Sequence, residues 1–310
     1  MSVDNITESA AVPENVITRA RHPRSMDLIL VRYAEMGLKS TAVRRRFEKV
    51  LTGNIIASLA RNGIEAVVRS ERGRIYVSTD RVPEALAPIS RVFGVSSLSP
   101  AMETLADMES VRSLAVSYSR EVIDRGSKFA LRVRRTGSHP FTSMDVARDV
   151  GAAVLEANSD RQASVDLDSP DIELRIEIRN RRAFVFSEII RGPGGLPMGS
   201  QGAVLAVVEE PRDAVAAWLM MKRGCKVMVA AKHDSYPVSV LARWDPELKV
   251  VEQELVPQLV RAHHPLAVVF GYRIGDIEKT KELALTLPAF YPVVGMSEEE
   301  IAKRFLEISA

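Results

Sequence analysis

The sequence predicts an α/β protein of three consecutive domains, and three observations support that prediction. Short apolar runs of strand length alternate with segments whose apolar residues recur every three or four positions, the pattern of amphipathic helices. A chain of 310 residues is longer than one hydrophobic core usually sustains, so two or three domains are expected. Residues Gly192–Gly202 contain five glycines and two prolines, which indicates a connector between domains.

The first domain is predicted over residues 27–98, after a disordered extension over residues 1–26 that has no sustained apolar period. Its elements alternate in the order β-α-β-β-α-β, which is the order of a ferredoxin-like unit with an α+β arrangement. The predicted elements are a strand over Leu28–Tyr33, a helix from Val43 to Leu59, strands over Ile64–Arg69 and Arg74–Thr79, a helix from Pro83 to Arg91, and a strand over Val95–Met102.

A second small α/β domain is predicted over residues 99–191, before the connector at 192–202. Its strands and helices again differ in apolar period, and Asn180-Arg181 supplies the turn of a hairpin. The predicted elements are helices over Met108–Val122 and Ser143–Ala157 and strands over Phe129–Val133, Ile172–Ile178 and Ala183–Ile189.

The third domain, residues 203–310, is predicted to be a doubly wound parallel sheet. Its strands are apolar throughout, which is typical of strands covered on both faces by helices. The predicted elements are strands over Ala203–Val208, Lys226–Ala230 and Leu266–Phe270, and helices over Arg212–Lys222, Glu254–Ala262, Ile277–Leu285 and Glu298–Leu306.

Charge and cysteine content restrict the chemistry. The net charge is only +2, but residues 1–98 carry 15 basic and 10 acidic side chains, so the excess of basic side chains lies in the N-terminal part of the chain. The single cysteine, Cys225, excludes an internal disulfide and any site built from several thiolates, and it favours a reducing compartment. No apolar run approaches the roughly 20 residues of a membrane span. We therefore expect a cytoplasmic protein without membrane contact.

Four stretches of the chain carry recognisable motifs in a fixed order. They are Val31–Ser40, which fits R-Y-x-E-x-x-x-K, then Arg91–Val95, then Gly192–Gly202, which fits G-x-G-G-L-P-x-G-x-Q-G, and finally Tyr291–Met296. Together they resemble the tRNA 4-thiouridine synthetases, or tRNA sulfurtransferases, and the likeness runs from about Leu28 to Leu306. The resemblance implies a ferredoxin-like domain, a THUMP domain and a PP-loop domain, the last of which uses ATP and magnesium in intact relatives.

The chain departs from this family at the strand-to-helix turn of the third domain. The resemblance places the phosphate-binding signature S-G-G-x-D-S at Val208, Glu209, Glu210, Pro211, Arg212 and Asp213. Two carboxylates would repel a phosphate, Pro211 lacks an N–H donor, and no glycine lets the backbone approach closely. The third domain is therefore predicted to be a reduced, degenerate PP-loop-like domain, with no catalytic residue, metal or cofactor of its own.

Basic side chains in the first two domains are the candidates for RNA binding. They are Lys39, Arg44, Arg45, Arg46, Arg72, Arg74, Arg132, Arg134, Arg135 and His139. A tRNA acceptor stem presents phosphates on an A-form surface, which calls for arginine and lysine spread over that surface. Each cluster taken alone is also compatible with an ordinary solvated face. The resemblance favours binding, because relatives hold the 3′ end of tRNA between these two domains.

The leading hypothesis is a tRNA-binding protein that grips the acceptor stem and lacks its own ATP-dependent adenylation. One alternative is an active thiolation factor that forms 4-thiouridine with a separate sulfur donor and a modification partner. A second alternative is a non-catalytic assembly module. The resemblance further implies a homodimer.

Overall fold

The computed structural model describes residues 28–34, 40–71, 73–231, 235–252, 258, 260–261, 264–283 and 287–310. The prediction of an extension over residues 1–26 lies outside these ranges. So do the candidate RNA-binding residues Lys39 and Arg72 and most of the helix predicted over Glu254–Ala262.

The first unit has the predicted β-α-β-β-α-β order. Its elements are β1 (Leu28–Arg32), α1 (Thr41–Arg61), β2 (Val67–Glu71), β3 (Arg74–Ser78), α2 (Val82–Ser90) and β4 (Ser97–Leu105). Helix α1 buries Phe47, Leu51, Ile55 and Leu59, which recur every four residues and so form one stripe against the sheet.

The second unit continues the same sheet. Its elements are α3 (Met108–Val122), β5 (Lys128–Thr136), α4 (Ser143–Ala157), β6 (Ser164–Val165), β7 (Ile172–Arg179), β8 (Arg182–Phe186) and β9 (Ile190–Arg191). Strand β4 pairs with β1 through Ser97–Ala101 and with β8 through Met102–Leu105. The strands therefore run β2-β3-β1-β4-β8-β7-β5-β6, with β9 on β4, and the boundary predicted at residues 98 and 99 falls inside β4.

The helices of both units cover one face of this sheet. Ile29 and Val31 of β1 belong to the core beneath α1 and α2, and Leu174, Ile176 and Ile178 of β7 belong to the core beneath α3 and α4. Because successive side chains of a strand point to opposite faces, the residues between them lie on the helix-free face.

The third unit is the predicted parallel sheet. Its elements are β10 (Ala203–Val207), α5 (Pro211–Lys222), β11 (Lys226–Ala230), α6 (Tyr236–Ala242), β12 (Lys249–Val251), β13 (Val268–Val269), β14 (Ala289–Phe290) and α7 (Glu298–Ser309). All pairs are parallel, in the order β12-β11-β10-β13-β14. The strand order reverses at β10 and β13, which is the doubly wound arrangement with its switch point between these two strands.

Five elements of the third unit differ from the prediction, and two of them are the short strands β12 and β14, which were not predicted. Residues Ile274–Leu283 form a 3-10 helix where an α-helix over Ile277–Leu285 was expected. The hydroxyl of Thr280 donates to the Ile277 carbonyl at 2.6 Å, a local bond over three residues that suits the tighter helix. Strand β13 is also shorter than Leu266–Phe270, and α6, with only seven residues, was not predicted.

The third unit packs against both the first unit and the connector. Phe93, which follows α2, lies in the third unit's core, with its ring centroid 5.5 Å from Trp218 and 5.4 Å from Trp244. Gly195 has φ of +74°, and a Cβ there would lie 2.7 Å from Cγ of Lys222. The glycine-rich sequence thus allows a close backbone approach between the connector and α5.

Candidate functional site

The helix-free face of the nine-stranded sheet carries a layer of arginines. We call it the arginine face, and on strands β1, β2, β3, β5, β7 and β8 it comprises Arg32, Arg69, Arg74, Arg132, Arg134, Arg175, Arg179 and Arg182. Four carboxylates on the same strands and β4 share the face, namely Glu71, Glu103, Glu173 and Glu177. Positive charge is therefore in excess across both of the first two units.

Aromatic rings lie beneath these arginines. Tyr76, Phe184 and Phe186 are buried with Leu28, Leu30 and Ala101 in one cluster on this face. The guanidinium of Arg182 lies 4.4 Å from the ring centroid of Tyr76, and that of Arg32 lies 4.8 Å from Phe186. Such cation–π contacts fix the planar guanidinium groups against the sheet.

Glu177 is the centre of the charge cluster. Its carboxylate, only 5% exposed, lies 2.9 Å from Arg74, 3.0 Å from Arg179 and 3.7 Å from Arg32. Burial acts to raise the pKa of Glu177, but Arg74, Arg32 and Arg179 together outweigh it, so the pKa lies below its usual value. This one carboxylate ties arginines of the first unit to those of the second.

Arg32 shows how crowded the positive charge is. Its pKa is lowered to about 10, first by burial and then, against the opposing effect of Glu177, by Arg74, Arg175 and Arg134. The group is still charged at neutral pH. A further anion on this face would relieve the repulsion among the arginines.

The structure brings three of the predicted RNA-binding residues, Arg74, Arg132 and Arg134, onto this face. Arg134 is exposed and has no ion-pair partner within the described ranges, whereas Arg132 contacts Glu173 at 3.0 Å and the Leu167 carbonyl at 2.7 Å. Arg74 is 11% exposed and is held by Glu177.

The other predicted residues lie at the margins of the face or in a turn. Arg45 and Arg46 are exposed in the first turns of α1. Arg44 lies 3.8 Å from Glu48 and, with Arg74, acts to lower the pKa of the Tyr33 phenol, although burial and Glu48 raise it overall. Alternation places Arg135 on the helix side of β5, where it donates to the Gly137 carbonyl and contacts His139.

Five arginines of this face were not among the predicted RNA-binding residues, namely Arg32, Arg69, Arg175, Arg179 and Arg182. The signal was present in the alternation of β7, I-E-L-R-I-E-I-R, where every charged residue falls on one face. The predicted residues came instead from runs of adjacent basic residues, and in a strand such runs divide between the two faces of the sheet.

The turn predicted to be a degenerate nucleotide loop lies at the switch point of the third unit. Val208 is buried, Glu209 and Glu210 are exposed, and Pro211 is the first residue of α5. Arg212 contacts Glu210 at 3.1 Å and Asp276 at 3.0 Å. The Arg212 guanidinium thus forms ion pairs with a carboxylate before α5 and with another after β13.

Asp213 occupies the backbone donors of this turn. Its buried carboxylate accepts hydrogen bonds from the N–H groups of Glu209 at 3.1 Å, Glu210 at 2.9 Å and Gly271 at 3.1 Å. Burial raises the pKa of Asp213, although the N–H groups of Glu210 and Glu209 act to lower it. Convergent N–H groups of this kind hold phosphates in nucleotide sites, and here an internal side chain satisfies them.

Gly271 allows this arrangement. A Cβ at this position would lie 2.7 Å from both the backbone N and the Cα of Asp213. The glycine after β13 therefore serves the approach of the Asp213 side chain to the backbone of the neighbouring strand.

Other reactive groups are sparse. The Cys225 thiol is 6% exposed, and burial raises its pKa. Across the described ranges, no group of three or more His, Cys, Asp or Glu side chains could hold a metal ion. None of the helices described there is both long enough and apolar enough to cross a membrane.

Comparisons with known proteins agree with the order of the domains. A family model for the ThiI ferredoxin-like domain matches residues 28–99, and a model for the THUMP domain matches residues 106–188. A probable tRNA sulfurtransferase of Methanosarcina acetivorans is 42% identical over 205 residues, which cover 65% of this chain and 50% of that protein. The chain thus spans about half the length of the curated relatives it first matches.

Two solved structures share the fold. PH1313 from Pyrococcus horikoshii is 32% identical with a TM-score of 0.79, covering 92% of this chain and 100% of that one. A 4-thiouridine synthetase, solved as an RNA complex with bound ATP, is 20% identical with a TM-score of 0.73 over 92% of this chain and 85% of that one. At that identity the second likeness concerns the fold alone.

Proposed function

Because this chain belongs to the tRNA sulfurtransferase family, we propose that it binds the acceptor stem of tRNA on the arginine face without adenylating it. The observation that carries the proposal is the continuity of that face. Strand β4 joins the two units into one sheet, so arginines of both units form a single surface. The names of the relatives point to tRNA as the nucleic acid.

The chemistry of the arginine face suits RNA phosphates. Exposed arginines such as Arg134 and Arg69 can meet phosphate oxygens directly, while the arginines beneath them are held by Glu177 and by aromatic rings. Planar guanidinium groups bind phosphate through paired donors. An A-form helix is recognised mostly through its shape and backbone, so a rigid basic sheet is an appropriate surface.

The candidate RNA-binding residues of α1 extend this surface. Arg45 and Arg46 are exposed in the first turns of α1, and their neighbour Arg44 acts, with Arg74 of the arginine face, on the phenol of Tyr33. We expect the acceptor stem to lie on the arginine face with its end towards α1.

The hydrogen bonds of Asp213 argue against adenylation by this chain. A triphosphate would have to displace a buried carboxylate from three N–H donors and approach Glu209 and Glu210, which are exposed beside them. The triphosphate and these carboxylates all carry negative charge and would repel one another. We therefore expect neither ATP binding nor any magnesium requirement at this turn.

The buried Cys225 also argues against a sulfur carrier in this chain. A thiol needs exposure and a lowered pKa to accept or transfer sulfur, and burial has the opposite effect here. A thiolation activity would depend on a separate sulfur donor and on the ATP site of a partner.

Fluorescence anisotropy of a labelled tRNA acceptor-stem minihelix tests the proposal. With about four to six phosphate contacts, affinity should fall about 10²- to 10³-fold between 50 and 200 mM salt. A DNA duplex of the same sequence is the matched control, since it carries the same charge without the A-form shape or 2′-hydroxyls, and it should bind more weakly. Equal affinity for the two duplexes, or an affinity independent of salt, would contradict the proposal.

A further inference from the structure

A cavity of about 340 Å³ lies between the first and third units, away from the arginine face. One wall is formed by α1 and the end of α2, which cover the opposite face of the sheet, and the other by the segment after α6. The volume lies in the range of about 300 to 1,000 Å³ that is usual for small-molecule sites.

The cavity has an excess of positive charge. Arg61, Arg91, Lys226 and Arg243 line it, against two carboxylates, Asp245 and Glu247. Asp245, 1% exposed, contacts Lys226 at 2.9 Å, and Glu247 forms an ion pair with Arg61. The two carboxylates are thereby matched by two of the four cations.

Two guanidinium groups are left over. Within the described part of the chain, Arg91 and Arg243 have no carboxylate partner, and Arg243 donates only to the neutral carbonyl oxygen of Ser309. A pair of unneutralised arginines in a concave site fits a dianion such as a phosphate monoester.

Aromatic and apolar groups line the same cavity. Trp244 and Phe93 lie 5.4 Å apart between ring centroids, and Pro88, Val92 and Met198 flank them. An inorganic ion would leave this apolar part of the cavity unfilled, whereas a planar ring attached to the phosphate would contact it.

We propose that this cavity binds a nucleoside monophosphate, with its phosphate on Arg91 and Arg243 and its base against Trp244, which the buried Phe93 supports from behind. The site is separate from the remodelled turn at Asp213 and from the arginine face. Its occupant would contact both the first and the third unit and so stabilise their docking.

Tryptophan fluorescence offers a local test, because the chain has only two tryptophans and only Trp244 lines the cavity. In the Trp218→Phe variant, AMP should change the emission of Trp244 saturably. Adenosine and inorganic phosphate should each bind at least about tenfold more weakly than AMP, since each lacks one half of the contacts. Equilibrium dialysis of AMP with the unmodified chain gives the same comparison if Trp218→Phe disturbs the core.

Arg91→Gln should weaken AMP binding by at least about tenfold, because a charged hydrogen-bond partner is lost. Arg125→Gln is the matched control, since Arg125 is also exposed but lies in the loop before β5, and it should leave binding unchanged. No saturable binding at millimolar AMP, equal binding of phosphate and AMP, or an equal effect of the two substitutions would overturn the proposal. Each readout is independent of tRNA, so it can fail while RNA binding stands.

Discussion

Replacement of Arg134 by glutamine should weaken tRNA binding without affecting the fold. Arg134 is exposed on β5, next to Glu177 on β7 in the sheet register, and has no ion-pair partner within the described ranges. A surface change of this kind alters stability by no more than about 0.5 kcal/mol. Because the fold is unaffected, a loss of tRNA affinity larger than this would report the loss of a contact with RNA.

The size of the effect follows from counterion release. One phosphate contact contributes about 0.9 to the slope of log K against log salt, which corresponds to about eightfold in affinity at 0.1 M salt. We therefore expect Arg134→Gln to raise Kd by about five- to tenfold at 0.1 M salt and to reduce the slope by about one.

The assay is anisotropy of the acceptor-stem minihelix at several salt concentrations, with Arg125→Gln as the control. Arg125 lies in the loop before β5, whereas Arg134 lies six residues into that strand, about 20 Å from its first residue. If Arg134→Gln leaves both Kd and slope unchanged, or if Arg125→Gln has the same effect, the arginine face is not the RNA-binding surface.

Three further predictions concern the groups that shape the two sites. Glu177→Gln should lower the free energy of unfolding by about 3 kcal/mol in urea titrations, because three arginines lose a buried carboxylate. Since the pKa of Glu177 is lowered in the folded state, its contribution to the free energy of unfolding is complete above the unfolded pKa of about 4.3 and is lost as pH falls below that value. Glu177→Gln should therefore reduce the fall in stability at acid pH. An unchanged pH dependence of stability would refute the assignment. Gly271→Ala should destabilise the chain by about 1 to 3 kcal/mol in the same titrations, because its Cβ meets the backbone of Asp213, and a neutral result would contradict the close approach. Asp213→Ala should cost about 1 to 3 kcal/mol by leaving three N–H donors without their acceptor, and should leave the Kd for tRNA within twofold; a large loss of RNA affinity would show that the third unit binds RNA directly.

Most of the fold could be predicted from apolar periodicity. The order of the first unit, the parallel sheet of the third and the glycine-rich connector all followed from spacing and turn residues. The pairing of β4 with strands of both units could not be predicted, because a strand's partners depend on register and on the whole sheet. The 3-10 helix at Ile274–Leu283 has a different origin, since the local hydrogen bond from the Thr280 hydroxyl to the Ile277 carbonyl favours the tighter turn.

The basic character of the candidate site could be predicted from the sequence, but which basic residues share one face could be predicted only in part. Arg74, Arg132 and Arg134 share one face, but Arg135 is the next residue after Arg134 and therefore points to the other side of β5. The turn between β10 and α5 lies where the apolar pattern predicts it, yet the part played by Asp213 depends on Gly271, which is 58 residues away in the sequence. Contacts over such a separation are set by tertiary packing.

Pyrophosphate release from ATP in the presence of saturating tRNA tests the central claim most directly. The claim is that RNA binding persists in a chain whose phosphate-binding donors are occupied by its own Asp213. We predict that tRNA is bound with the salt dependence of several phosphate contacts and that no pyrophosphate is released by the chain alone. Release of pyrophosphate in proportion to the bound tRNA would contradict the account.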